Sequence, residues 1–415
     1  MLVLMSHRYF VCGALVVGCT MLVSACSDPS QDGGDGETGA AMETSGGDGD
    51  GDGDGDGDGD GGAESPGCDG AALLERPSDL SAPGPWKVGA RTLTVAGRVA
   101  EVWYPASLDT EDFEPKIYDP RIKLPPSQQG LIADEQTPFQ VCDCGDELPL
   151  DSSHGPYPVI AYVHGTAAWA SVSLTQMTHW ASRGFVVVAM DHPGLFLGDL
   201  LAIACPDDPT GSQDLSADTD ALLNSLAAGT DGFAFIEPYV DMTRIGVVGH
   251  SAGGAAVADF GSKPGVRAIV PMASGGAVPA NAATESTLFL GALSDTVVSY
   301  SSTQSAYEGT GTRKHLVGIE NTGHLVFSDI CELKNNEGKD ILEIAVDVGI
   351  CGAQFAGALF DCDPTFLDPA VANDIINDAT AAIFEGVLMC SDAESSLQDI
   401  QVRYPDVAEY LSETL

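Results

Sequence analysis

The most restrictive feature of this 415-residue chain is a change of pattern near its middle. The apolar run Ile245-Gly246-Val247-Val248 leads straight into Gly249-His250-Ser251-Ala252-Gly253, and the small residues Gly254, Ala255 and Ala256 follow. The first stretch suits a buried strand and the second a closely packed helix. A strand that turns into a helix within two residues leaves no room for side chains flanking the turn, a condition that Gly249 and Gly253 meet. Ser251 would then occupy the tip of a strained turn, with its hydroxyl above the sheet. The same five residues also fit a Gly-rich turn with a helix-capping serine. Their surroundings therefore carry the argument.

Short apolar runs suited to buried parallel strands recur at 159–163, 185–190, 244–249, 268–272, 287–293 and 315–319. Helical stretches lie between them at 174–182, 218–226 and 252–260. Strand alternating with helix predicts an α/β fold, a mostly parallel sheet with helices on both faces. Ahead of it, 91–104 reads as two antiparallel strands joined at Ala96-Gly97. The stretch 105–158, rich in Pro and polar residues, reads as a long surface insertion before the third strand. The last 85 residues read as a mostly helical, Cys-bearing extension, with 370–389 and 406–411 its clearer helices.

A serine hydroxyl becomes a useful nucleophile only when a histidine takes its proton, and that histidine needs a carboxylate to hold its tautomer. Placed in this pattern, the chain resembles the α/β-hydrolase fold family, whose order is Ser, acid, His. The resemblance implies Ser251 as nucleophile, Asp295 in FLGALSDTVV as acid and His324 in IENTGHLVF as base, each on a loop after a strand. Asp in Ser-Asp-Thr also suits a plain turn, and Glu320 and Asp329 are the fallback acids. The oxyanion donors would be the backbone N–H of Ala252 and, by likeness to the family's H-G-x form in His164-Gly165-Thr166, that of Thr166. His164 would orient that loop.

Within the family the resemblance is to secreted esterases and lipases grouped with platelet-activating-factor acetylhydrolase, dienelactone hydrolase and bacterial polyester hydrolases. It covers roughly 86–329, through VWYPA, GPYPVIAYVHG, SRGFVVVAMDHPG, VDMTRIGVVGHSAGG, LSDTVV and GHLVFSD. It implies a serine hydrolase of carboxylic esters that works through an acyl-enzyme, with no cofactor or metal. Ser251 argues against dienelactone hydrolase, which uses a Cys. Met272-Ala273-Ser274-Gly275-Gly276 lacks the aromatic residue that polyester hydrolases carry after the elbow helix. The run 192–197 could wall an apolar entrance, and Trp169, Trp180 and Tyr300 could line a pocket or pack the core. A retired hydrolase scaffold used for surface binding, and a peptidase on the same fold, are the alternatives.

The N-terminal 69 residues have a different character. Residues 1–25 read as an export signal, and Val23-Ser24-Ala25-Cys26 resembles a bacterial lipobox, which implies acylation at Cys26. Ser27 after that Cys implies the outer membrane of a Gram-negative envelope; a soluble secretory signal and a retained single span are the alternatives. Residues 26–69 read as an extended tether, with strict Gly-Asp alternation over 48–60. The alternation imitates the start of an EF-hand loop, but no register places a Glu at the twelfth position. Residues 70–415 form the expected folded domain, with 331–415 as its extension. The chain carries 61 acids against 17 bases, a formal charge of −44, and 70–415 retains 47 against 16. That balance excludes nucleic acid as a partner and favours a neutral or zwitterionic small-molecule or lipid ester. Contact with the membrane would come through the lipid anchor.

Eleven cysteines, less Cys12, Cys19 and Cys26, leave eight. An even number in an exported domain points to disulfides, with some pairing inside 331–390. Cys142-Asp143-Cys144 is the one zinc-like spacing, without a second pair nearby.

Overall fold

The computed structural model describes residues 72–280 and 283–414. The expected signal segment, the expected lipidation site Cys26, the expected tether and Cys68 lie outside the described residues. Among the described residues eleven strands join one sheet: β1 (Val88–Val95), β2 (Arg98–Pro105), β3 (Pro115–Tyr118), β4 (Gln140–Asp146), β5 (Tyr157–Val163), β6 (Val186–Met190), β7 (Val240–His250), β8 (Val266–Met272), β9 (Ser286–Ala292), β10 (Lys314–Ile319) and β11 (Val407–Glu413). Their spatial order is β11-β10-β9-β8-β7-β5-β6-β2-β1-β4-β3. The six strands from β5 to β10 run parallel to one another. β2 pairs antiparallel with both β1 and β6.

Side chains alternate across the sheet as the pleat demands. Ile160 and Tyr162 of β5 join one core with Met177, Trp180, Ile376 and Phe384. Val159, Ala161 and Val163 join the other with Leu222, Leu226, Val257 and Ala306. The first core therefore takes α1 (Leu174–Ser182) and the long α8 (Pro369–Leu388). The second takes α3 (Leu215–Ala228), α4 (Ala252–Val257) and α5 (Tyr300–Gly309). A strand buried on both faces reads as a continuous apolar run, which is why these six strands were visible without alternation.

A third, smaller core lies away from the sheet. It unites Leu124 and Ile132 of the 105–158 insertion, Leu201 of α2 (Leu197–Ala202), and Ile344, Ile350 and Ala353 of the C-terminal extension. The last three belong to α6 (Ile341–Val348), the following turn and α7 (Ala353–Ala356). Helix α6 is well specified locally: Asp340 and Glu343 form a reciprocal capping box, and Gly349 ends it at φ 79°.

The structure corrects the expected elements in two places. The insertion is not only a surface excursion: β4 pairs parallel with β1, β3 pairs with β4, and Lys123, Leu124 and Ile132 are buried. The expected helix at 406–411 is strand β11, antiparallel to β10 in a register that places Leu411 opposite Leu316. The exposed edge of β10 offers unpaired backbone groups, and the returning chain satisfies them; a short Val/Tyr/Leu segment suits either conformation until such an edge is present.

Three disulfides join Cys142 to Cys144, Cys205 to Cys351 and Cys331 to Cys362. Cys390 is disulfide-bonded as well. The C-x-C spacing is thus a disulfide and not half of a zinc site. Cys205–Cys351 ties the segment after α2 to the turn between α6 and α7, across 146 residues of chain.

Candidate active site

The elbow forms where strand β7 meets helix α4. Ser251 has φ 56° and ψ −119°, a positive-φ conformation that side chains rarely adopt, and its N–H is held by Met272 O at 2.9 Å. The flanking glycines are required by close approach. A Cβ on Gly249 would lie 2.5 Å from the backbone of Gly253, and one on Gly253 would lie 2.1 Å from Val163 O. Strand and helix could not meet at this distance with any larger residue.

Asp295 lies beyond β9 and His324 beyond β10, so both loops leave the same end of the sheet as the elbow. Asp295 Oδ2 stands 2.7 Å from His324 Nδ1, and both side chains are buried. The other carboxylate oxygen, Oδ1, accepts the N–H groups of Val297 at 2.8 Å and Val298 at 2.7 Å. With a carboxylate on Nδ1, that nitrogen carries the ring proton and Nε2 is left as the acceptor. Ser251 and His324 line one cavity of about 630 Å³ together with Thr166, His250 and Trp169.

Two further contacts hold the backbone of His324. Asp361 Oδ2 accepts its N–H at 2.9 Å, and its carbonyl accepts a hydrogen bond from His250 Nε2, also at 2.9 Å. His250 is fully enclosed, and burial pushes its pKa well below the usual histidine value, so it stays a neutral donor. Side chain, N–H and C=O of His324 are each fixed by a different segment.

The loop after β5 is held in a similar way. His164 Nδ1 lies 2.8 Å from Gly165 O, while Nε2 accepts the His192 N–H at 3.0 Å. These partners assign the proton to Nδ1, and burial keeps the ring neutral. Asp191 Oδ1 accepts the Ala170 N–H at 2.8 Å, and Oδ2 pairs with the buried Lys123 of the insertion at 2.7 Å. Ala167 N–H is taken by Leu195 O. Thr166, one residue earlier, is exposed at the cavity. Ala252 is the first residue of α4, where a helix has no carbonyl one turn earlier for its N–H.

The structure therefore brings Ser251, His324, Thr166 and Ala252 to one end of the sheet, with Asp295 behind His324. Of the fallback acids, Asp329 is engaged elsewhere. Asp329 is buried against Gln140 and Thr175, and its pKa is raised to about 6 by burial; Glu320 is exposed. Leu197 and Trp169 line the cavity, whereas Trp180 donates to Thr380 in the core and Tyr300 donates to Glu409. The sequence reading missed His250 and Asp361 as supports of His324. His250 sits inside the elbow motif and could have been noticed. Asp361 lies in the Cys-bearing tail, with no pattern to single it out.

A family model described as PET hydrolase-like, the PETase family, matches residues 147–336. The match spans the elbow, the loops that carry Asp295 and His324 and the strands between them. With the mostly parallel sheet covered by helices on both faces, it identifies an α/β-hydrolase fold, and it points to an ester hydrolase. A search of the curated proteins finds no match. The match takes in only part of the insertion and stops before α6, so two walls of the cavity lie wholly or partly outside it.

Proposed function

We propose that this protein is a serine hydrolase of carboxylic esters that uses Ser251, His324 and Asp295. The carrying observation is the 2.7 Å contact between Asp295 Oδ2 and His324 Nδ1, on a cavity shared with a serine held at φ 56°. In this reading His324 Nε2 takes the proton from Ser251 Oγ as the oxygen bonds to the ester carbonyl carbon. The N–H groups of Ala252 and Thr166 stabilise the oxyanion, an effect of roughly 3 to 4 kcal/mol for each donor. The C–O bond to the alcohol then breaks, with the proton passing from His324 to the leaving oxygen. Water repeats the sequence on the acyl-enzyme, and the carboxylic acid departs.

Asp295 supports the imidazolium that forms twice in each cycle, while its Oδ1 is kept in place by two N–H groups. The N-terminal segment completes the reading: acylation at Cys26 would anchor the domain to the cell envelope through the Gly/Asp tether, with the outer membrane as its site.

Turnover of nitrophenyl esters by Ser251→Ala, alongside fluorophosphonate labelling of the native protein, tests the assignment. The expected loss is about 10⁴-fold or more. A folded Ser251→Ala protein that keeps a tenth of the native rate would exclude Ser251 as nucleophile.

A further inference from the structure

We infer that the cavity beside Ser251 is an acyl-chain site, and that the substrates are esters of long aliphatic acids. The inference rests on the reading of Ser251 as nucleophile and adds a substrate class to it. Three segments form the cavity away from the serine: the insertion through Leu124 and Ile132, α2 through Leu201, and the extension through Ile344 and Ala353. These are the residues of the third hydrophobic core, so the walls pack on one another as well as on the space they enclose. The Cys205–Cys351 disulfide joins two of them covalently.

The lining chemistry suits a hydrocarbon. Besides the imidazoles of His250 and His324, the ionisable side chain lining the cavity is Arg121, and it is already engaged by Asp119 at 2.7 Å and Asp134 at 2.6 Å. Among the described residues lining the cavity, no unengaged cation is left to hold a second carboxylate or a phosphate. Most other lining residues are Leu, Ile, Val and Ala, which accommodate a flexible chain by packing and offer few ring faces for stacking. At about 630 Å³ the space far exceeds the need of an acetyl group and falls in the range of sites that take molecules of drug size. Ile203 and Phe355, also on the cavity, are 76% and 70% exposed, and they mark an apolar rim through which a chain could enter from a lipid phase.

The test is kcat/KM for nitrophenyl acetate, butyrate, hexanoate, octanoate, decanoate and benzoate. Each methylene that leaves water should raise kcat/KM by up to about fourfold until the cavity is filled. We expect at least a tenfold rise from acetate to octanoate, with octanoate above benzoate. A profile that is flat or falls from acetate, or a preference for benzoate, overturns the inference while leaving the esterase reading intact. Ala353→Trp and Ala356→Trp should each lower the octanoate-to-acetate ratio at least tenfold. An unchanged ratio in both variants, folded by circular dichroism, also overturns it. A readout independent of turnover is binding to Ser251→Ala: 1-decanol should displace an apolar fluorescent dye at concentrations at which ethanol does not. Failure of that displacement counts against the cavity, whereas absence of turnover and of fluorophosphonate labelling counts against Ser251.

Discussion

Asp361 Oδ2 accepts the backbone N–H of His324 at 2.9 Å, and the same oxygen lies 3.3 Å from the N–H of Thr296, the residue after Asp295. One carboxylate of the C-terminal extension thus ties the loop of His324 to the loop of Asp295. Its neighbour Cys362 is bonded to Cys331, seven residues beyond His324, which closes the clamp on the segment that it holds. For the proposed triad Asp361 is a positioning residue, since it holds the backbone of the base.

Replacing Asp361 should therefore slow chemistry without weakening binding. A hydrogen bond to a charged acceptor contributes about 1.5–3 kcal/mol, so Asp361→Ala should lower kcat by roughly 10- to 100-fold, with KM for short esters within about twofold of native. Asp361→Asn keeps an acceptor oxygen and should recover most of that loss. Steady-state kinetics on the two variants distinguishes this from a general loss of fold, which would spare neither.

Asp295 makes two separable contributions, the charge beside His324 and the anchorage of its own loop by Val297 and Val298. Asp295→Asn retains much of the anchorage and removes the charge, and it allows the wrong tautomer of His324. A decrease in kcat of about 10⁴-fold is expected, by analogy with the same change in other triads. Retention of near-native kcat would show that another carboxylate serves the histidine.

Three buried histidines should make the fold acid-sensitive. His164 and His250 are held well below the ordinary histidine value and His179 is pushed down to about 3, all chiefly by burial. Below pH 6.5 the unfolded chain takes up protons at these positions and the folded chain does not. Their contribution is therefore complete above pH 6.5 and lost as pH falls toward the folded values. Each fully depressed histidine costs about 1.4 kcal/mol for every pH unit below 6.5. Thermal unfolding between pH 7 and 4.5 should show a falling midpoint. His179→Gln, away from the reaction centre, should make that fall shallower.

The Cys205–Cys351 disulfide closes a loop of 146 residues and joins two walls of the cavity. Its removal should cost about 2–4 kcal/mol of stability. Cys205→Ser/Cys351→Ser should also lower the octanoate-to-acetate ratio, because α2 and the α6–α7 turn would no longer be tied. An altered melting temperature with an unchanged ratio would restrict the bond to a stabilising role.

The elements near the reaction centre were legible because their causes are local. A buried parallel strand must be apolar throughout and the elbow must have Gly at 249 and 253, so the six parallel strands and the turn at Ser251 could be read locally, while Asp295 and His324 were expected from the family resemblance. Disulfide partners, strand β11 and the clamp by Asp361 could not be read in this way. Each depends on a group brought near by the fold: a free edge on β10 for β11, and an N–H at His324 for Asp361. The cavity lies furthest from the sequence pattern, since Leu124, Leu201 and Ile344 become neighbours only when the insertion, α2 and the extension pack together. Periodicity in the chain determined which segments form the parallel strands of the sheet. Only long-range packing decided what covers those groups, because a wall assembled from distant segments leaves no regular spacing in any of them.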